Sequence, residues 1–471
     1  MKKIKTTITI LSLSFFTSCS DFLEVDPIGK TTISVFFSDM DGIRAALPGA
    51  YSKVYDYYGD EFLLYPDTAG DMLQLATAVE NNMISQYNFT SNPAEEITAV
   101  GMIWRNALEA LVNVNNMLEY QPALLEKFPS NEQELTQIKA EALFLRALIH
   151  FDLVRVYAQP YNYTNDASHL GVPVLTKTPS SDDHVPRKTV NEVYQQIEKD
   201  LKEAALLFEN SDDATSSFYA SKNAVHALLA RMYLYMENWE QAINYASLVI
   251  DSTPLSQGQD YLDMFLKIEN DDESLFKLNG NLKTPYINKF YNQETPLAIA
   301  STKLTNLLNE NTEDIRLDLI DTETLTSLKF LKPFSNIGEI KDNDYHIIVL
   351  RASEMYLIRA EAYTELSNID LAKEDLKILM ARNYQTTTAA ITLNKNTQEE
   401  LKTLIDKERS KELCFEGHRL YDITRTQQNL IREANTTSTV KEITYPSTKF
   451  VLPIPQKEMD VNKAMIQNDG Y

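Results

Sequence analysis

The stretch "NAVHALLARMYLYMENWEQAINYASLVIDS", residues 223–252, decides the reading of the fold, because "VLRASEMYLIRAEAYTELSNIDLAKEDLKILMARN", residues 349–383, repeats its pattern. Ala230, Tyr233 and Ala242 stand as small, aromatic and small; Ala360, Tyr363 and Ala372 stand at the same offsets. Alanines let two paired helices approach closely, and the tyrosine fills the groove between them. Each stretch therefore predicts a helical hairpin. The two are far apart in sequence, so the chain is not a simple solenoid.

Working outward, helical periodicity begins near Asp39, with Ile43, Leu47, Ala50, Tyr51 and Val54 recurring at intervals of three and four. Further helices are predicted over about residues 95–119 and 131–157. The second carries one apolar stripe through Leu135, Ile138, Ala142, Leu145, Ile149, Leu153 and Val156. Another runs through Leu143, Ala147, Phe151 and Val154, so this helix is expected to be buried on most sides. Gln159-Pro160 ends it. Trp104 and Trp239 fall in helical blocks and are read as core. Residues 57–92, rich in Tyr and Asn without a clear period, are read as loops. Residues 254–346 are irregular, with strand-like pieces such as "ESLFKL", and residues 441–455 are β-like and bounded by proline.

Composition excludes several chemistries. Of 471 residues, 44% are apolar and 10% aromatic, enough for a large core, while only 12 are glycine, too few for a sandwich, a barrel or a Gly-rich nucleotide site. A net charge of −23 argues against nucleic acid as a partner, since binding phosphates needs a basic surface. Cys19 and Cys414, the two cysteines, cannot form a disulfide framework or a Cys-based zinc site. With six histidines there is no H-E-x-x-H, and G-x-S-x-G, the P-loop and G-x-G-x-x-G are absent too. No cofactor or metal is implied. Carboxylates are plentiful, but no spacing singles out a glycosidase pair.

The first residues concern location. Lys2, Lys3 and Lys5 precede an apolar stretch, residues 8–16, then Thr17, Ser18 and Cys19. This is a signal peptide, too short to span a membrane as a helix. Small residues before a lone cysteine are similar to a bacterial lipobox, in which that cysteine becomes the lipidated first residue; Phe16 stands where the lipobox usually has Leu. The alternative is an ordinary secretory signal with an incidental cysteine. The reading is a signal peptide over 1–18, a lipidated tether over 19–32, and a single body over 33–471 with insertions at about 57–92 and 254–346.

From the tether onward the chain resembles the RagB/SusD family. "FLEVDP", "AEALFLRALIHFDLVRVYAQP", "HALLARMYLYMENWEQAI", "LRASEMYLIRAEAY", "ERSKELCFEGHRLYDITRT" and "LPIPQKEMDVNKAMIQNDGY" follow the family's blocks in order, to the last residue. The resemblance implies a mostly α fold, with four tetratricopeptide-like hairpins supporting an irregular, ligand-facing half. It implies an outer-membrane, cell-surface lipoprotein of Bacteroidetes acting as the lid of a SusC-like TonB-dependent transporter. Such proteins capture nutrients, often glycans and sometimes peptides.

The block "KELCFEGHRLYDITRT", residues 411–426, spaces Cys414, His418 and Asp422 four apart, as a catalytic triad on one helical face would be. Gly417 lies between them, and glycine commonly ends a helix in a left-handed conformation. The family's pattern also does not require cysteine there. His418, Arg419, Asp422 and Arg425 are instead expected to form a buried ion network. Glu408, Glu412 and Glu416 would join it, their carboxylates needing cationic partners that these arginines can supply.

A sugar ligand calls for aromatic faces beside amides and carboxylates. The candidates in the first irregular region are Tyr57, Tyr58, Tyr65, Asp67, Tyr87 and Asn88. In the second they are Tyr286, Asn288, Phe290, Tyr291 and Asn292. The expected function is non-enzymatic: a surface lipoprotein binding a glycan or oligosaccharide, partnered with the transporter. The alternatives are a RagB-like peptide-binding lipoprotein, a scaffold that binds only proteins, and an α-helical-barrel glycoside hydrolase. The last is disfavoured because the hairpins explain the helices without a barrel.

Overall fold

A computed structural model of the chain describes residues 32–76, 81–180, 182–209, 216–266, 271–281, 283, 285–330 and 345–471. The signal peptide, Cys19 and all of the tether but Thr32 lie outside the described residues. The fold is mostly α, as the sequence implies.

The long helices are α1 (Met40–Tyr57), α2 (Ala99–Lys127), α3 (Glu132–Tyr157), α4 (Val190–Phe208), α5 (Lys222–Tyr235) and α6 (Trp239–Ile250). After the irregular insertion come α7 (Ala352–Glu365), α8 (Ile369–Asn383), α9 (Gln398–Glu412) and the short α10 (Arg419–Arg425). Their starts are chemically marked. Asp39 caps α1, accepting from the backbone N–H groups of Asp41 and Gly42. Thr189 with Glu192, and Thr397 with Glu400, form reciprocal capping boxes at α4 and α9.

Successive helices pack as antiparallel neighbours, α1 and α3 each against α2, then α4 against α3. Helix α3 is buried all round from Ala140 to Tyr157, which is why its sequence carries two apolar stripes. Its polar side chains are matched. Arg146 pairs with Asp200 of α4, and Asp152 accepts from Arg155 and from the Tyr57 hydroxyl.

The two hairpins of the opening pattern are α5–α6 and α7–α8, and α6 packs against α7 to join them. Ala230, Ala242, Ala360 and Ala372 are fully buried. Both turns put one residue in the left-handed region, Glu237 (φ 56°) and Ser367 (φ 62°), each followed by an Asn. That Asn donates its backbone N–H to the carbonyl of the pattern tyrosine: Asn238 to Tyr233 at 3.0 Å, Asn368 to Tyr363 at 2.8 Å. The tyrosines differ. Tyr233 is buried and stacks on Tyr245, whereas Tyr363 is half-buried with the Arg359 guanidinium over its ring.

Three small antiparallel pairs tie the irregular segments to this frame. β1 (Leu73–Leu75) pairs with β3 (Ala298–Ala300), in register Leu73↔Ala300 and Leu75↔Ala298. β2 (Ser274–Leu278) pairs with β4 (Ile347–Arg351), and β5 (Leu430–Ile431) with β6 (Glu442–Ile443).

The loop reading of residues 57–92 needs correction. The chain leaves α1 through a π turn, Tyr58–Phe62, into a short helix, Leu64–Thr68. Nearly every residue there is buried, so no polar face exists to print a helical period on the sequence. The 254–346 insertion likewise holds short helices, Gly258–Leu266, Tyr286–Phe290 and Thr302–Leu308. The 441–455 segment has only β6 as strand.

Candidate functional site

The β1–β3 pair builds an open cleft on the irregular half. It has a volume of about 810 Å³ and is lined by Ala76, Pro285, Asn288, Lys289, Asn292, Thr295, Pro296, Leu297, Ile299 and Thr324. Ala76 donates its N–H to the carbonyl of Leu297 (2.9 Å), just ahead of β3, and Leu297 donates to the Phe290 carbonyl (3.0 Å), closing the loop between them. Asn292 Oδ1 accepts from the N–H groups of Glu294 and Thr295, and Asp321 Oδ1 accepts from those of Glu323 and Thr324. These local turns shape the rim, and Gln293 Nε2 donates to Asp321 Oδ2 (3.1 Å) to join them. Pro285, Pro296, Leu297 and Ile299 offer an apolar floor; Asn288, Thr295, Thr324 and the Lys289 ammonium offer hydrogen bonds.

Asn288 and Asn292 of the sequence candidates line this cleft. Tyr286 lies beside them, half-buried, its hydroxyl accepting from the Asn82 N–H. The others are elsewhere. Tyr57, Tyr58, Tyr65, Asp67, Tyr87, Phe290 and Tyr291 are buried, so none presents a face to a ligand at the surface. Tyr58 packs on Phe62, Tyr65 edges onto Tyr421, and Tyr291 stacks on Phe330. Tyr87 hydrogen-bonds Thr436 and Thr437 under the Arg432 guanidinium. Asn88 Oδ1 accepts from Ser438 and Thr439. These side chains hold the irregular half together from inside. Aromatic residues in segments of uncertain period are as apt to be core as platform, and burial decides for core. No aromatic ring lines the cleft among the described residues. The sequence reading missed Lys289, Thr295, Pro296, Leu297, Ile299 and Thr324; the turn-forming Asn292-to-Thr295 stretch ahead of Pro296 was the available signal.

Asp67 has a structural task. It accepts from the N–H groups of Gly417 (2.8 Å) and Arg419 (3.3 Å), fastening the turn between α9 and α10. Gly417 (φ +78°) takes the left-handed region there, where a Cβ would also meet the Leu63 carbonyl at 3.0 Å. Phe415 is left-handed as well. Helix α9 ends at Glu412 and α10 begins at Arg419, so Cys414, His418 and Asp422 do not share a helical face. Burial pushes the Cys414 thiol up to about 11, which keeps it protonated.

The acidic members of the block are paired: Asp422 with Arg425, as the sequence implies, but Glu408, Glu412 and Glu416 with cations other than Arg419 and Arg425. Glu412 is bound by Arg351 (2.6 Å), Arg382 (2.5 Å) and Arg316 (3.3 Å), Glu408 by Arg316 and Lys411, and Glu416 by Arg351 and Lys329. Burial opposes ionisation of Glu412, but Arg382, Arg351 and Arg316 outweigh it and hold its carboxyl well below the usual range. Arg419 instead pairs with Asp71 and Asp406, Arg425 with Glu361 and Asp422, and Arg409 with Asp422. His418 is not a charged member: burial, then the nearby Arg231 and Arg409, push its pKa well below the usual value. Most of the partners come from distant segments, near residues 71, 316–329, 351–361 and 382, which spacing within one block cannot reveal.

Trp104 is core, packed edge-to-face on Tyr157. Trp239 is not: it is half-buried and lines a second cavity, between α6, α7, α9 and α10. Among the described residues no group of three or more His, Cys, Asp or Glu is placed to hold a metal ion. Nor is any helix among them long and apolar enough to cross a membrane.

Residues 161–471 match the family described as the SusD family, and residues 21–234 match one described as starch-binding and associating with the outer membrane. A SusD-like protein of Formosa agariphila is 25% identical over 538 aligned residues covering 100% of both chains. A second from that organism is 23% identical and covers 91% of this chain and 93% of its own. A solved structure, a putative sugar binding protein from Bacteroides vulgatus, superimposes with a TM-score of 0.81 at 25% identity, over 92% of this chain and 99% of that one.

Proposed function

Because the chain belongs to the SusD family, we propose that it is a surface-anchored lipoprotein that captures a glycan and passes it to a SusC-like TonB-dependent outer-membrane transporter. The family is carbohydrate-binding and outer-membrane associated, and its members are binding proteins rather than enzymes. The finer reading, that this chain itself binds a saccharide, is supported by the loop cleft. Its apolar floor, framed by amide, hydroxyl and ammonium groups, suits the mixed surface of a sugar. Contact through Pro, Leu and Ile in place of aromatic stacking favours weak capture, which suits a protein that must release its cargo inward.

The test is calorimetry of the mature chain against starch- and laminarin-derived oligosaccharides and against peptides, with chromatography of each ligand before and after incubation. Saccharide binding with the ligand recovered intact supports the reading. Peptide binding alone would favour a RagB-like role, and cleaved ligand would overturn the binding-only assignment. Anchoring rests on Cys19. One acyl chain holds a membrane weakly and several hold it stably, so a triacylated Cys19 fixes the protein to the outer membrane, and Asp21 and Glu24 are read as its surface-export signal. Cys19→Ala should release or mislocalise the protein in membrane fractionation; an unchanged distribution would exclude the anchor.

A further inference from the structure

We propose that the loop cleft is gated by a proton on Glu61. Buried in the π turn Tyr58–Phe62, Glu61 keeps the Tyr286–Phe290 helix seated while it is neutral and releases it on ionising. The gate rests on the cleft being the ligand site, but the release behind it is measurable without a ligand.

Glu61 is an acid in a place built for a neutral group. It is 4% exposed, makes no side-chain hydrogen bond or ion pair among the described residues, and has its Oε2 fully enclosed. Asp67, a little further along the chain, is buried too but receives two backbone N–H groups. The groups that face Glu61 are Asp60 on its own turn, Tyr286 on the short helix, Tyr157 on α3 and Arg105 on α2. Arg105, the one cation of these, is exposed, and its Nη2 lies against Met102 Sδ (2.7 Å). Lys283 is already paired with Asp56 (2.7 Å). Burial, then Asp60, push the Glu61 carboxyl from 4.5 up to about 8, against a smaller pull from Arg105.

The π turn is also the seat of the short helix. Asp60 Oδ1 accepts from the Tyr286 N–H (2.8 Å) at the head of that helix. Gly59 lies so close to Pro285 that a Cβ there would stand 2.8 Å from the proline's own. Pro285, Asn288 and Lys289 then line the cleft. An ionised Glu61 must reach water or remain a stranded charge. Helix α2 cannot give way to it, being 29 residues long and packed on both α1 and α3. The first turn of the short helix can: that helix has 5 residues, and Tyr286 at its start is only half-buried. Its departure also relieves the repulsion between Glu61 and Asp60.

Seated, Glu61 holds its proton up to about pH 8; released into water, it loses it near 4.5. Release therefore becomes easier as the pH rises from about 4.5 to 8, by up to about tenfold per unit, and no easier above that. Residue-resolved hydrogen exchange of the mature chain, with each rate taken relative to the unstructured amide at the same pH, should show protection at Tyr286 and Asn288 falling over that window. Glu61→Gln, which keeps the shape of the neutral acid, should flatten the fall. Flat protection in the wild type, or a fall that persists in Glu61→Gln, would overturn the proposal. So would an equal fall at equal protection throughout α3, which would mean that the whole fold opens. Calorimetry with maltotriose and laminaritriose joins release to capture. Affinity should weaken several-fold between about pH 5.5 and 8 in the wild type and not in Glu61→Gln. Affinity that ignores the exchange profile would overturn the gate. The expected exchange profile with neither saccharide bound at any pH leaves the release standing and removes the cleft reading alone.

Discussion

The turn at residues 413–419 and the loop at residues 291–297 both leave regular structure, yet one is locked by buried charge and the other is held by a side-chain turn and a few neutral-donor hydrogen bonds. Around the first, Glu273, Asp314, Glu408, Glu412 and Glu416 are linked to Arg316, Lys329, Arg351, Arg382 and Lys411, all buried. Around the second, Asn292 turns the chain locally, and Asn288 and Lys289 make no side-chain hydrogen bond or ion pair among the described residues. A buried ion network adds little net stability over apolar packing, but it tolerates only one arrangement, because any other strands a charge. A loop held by an Asx turn needs no such partners, so the Asn288 and Lys289 side chains beside it are left to a ligand.

The sharpest way to break this contrast is to remove a cation from the closed region. Arg351→Met leaves Glu273, Glu412 and Glu416 each short of a partner, and should cost about 3–5 kcal/mol or prevent folding. Lys289→Ala in the open loop should fall within about 0.5 kcal/mol of wild type. Urea unfolding of the two variants decides it. Equal midpoints would mean the network is dispensable and the contrast false.

A pH dependence probes the closed body next. His150 Nδ1 faces the Arg146 carbonyl (2.9 Å), and its Nε2 accepts from the Leu175 N–H (3.0 Å), so only the neutral ring fits. Burial pushes its pKa from 6.5 down to about 4. Between those values the unfolded chain binds the proton and the folded one does not, so stability rises with pH from about 4 to 6.5. The difference amounts to about 3 kcal/mol, all of it absent above 6.5 and fully felt below 4. His150→Gln should flatten that part of the stability curve while leaving the His418 contribution in place. An unchanged slope would show that the ring is solvated.

How legible these regions were in the sequence follows from what patterns them. The hairpins announced themselves because alanines and a tyrosine must recur where two helices touch. Helix α3 was legible for the opposite reason, carrying two apolar stripes over a length only a helix explains. The helical turns within residues 58–68 were not, since a segment buried on all faces shows no period when Tyr, Pro and Gly interrupt it. The ion network was half legible: Glu408, Glu412 and Glu416 had to be paired, but Arg316, Arg351 and Arg382 reach them from far along the chain. The cleft was legible only through Asn288 and Asn292, because a site floored by Pro, Leu and Ile carries no distinctive residue. Cys414, which most resembled chemistry, is packing. Cys414→Ala should cost about 1–2 kcal/mol and leave nutrient uptake unchanged; uptake lost in a folded variant would restore a chemical role.

The smallest stability effect belongs to the cleft itself, and there the contrast is sharpened. Asn288 carries an amide that no described residue binds, on a short helix fixed from beneath by Phe290 and Tyr291, both fully buried. Removing the amide empties no core and strands no charge, so Asn288→Ala should shift unfolding by less than about 0.5 kcal/mol. If the amide bonds a sugar hydroxyl, the same change should weaken saccharide binding several-fold, the worth of about one neutral hydrogen bond. Tyr291→Ala should do the reverse. Its ring lies under the cleft against Phe330 and Phe415, so its loss lowers stability first and affinity only through the collapse of the loop. Calorimetry and thermal unfolding of the two variants, run side by side, separate a ligand contact from a support. Full affinity in Asn288→Ala, with weakened binding in a stable Tyr291→Ala, would move the ligand out of this cleft and into the layer beneath it.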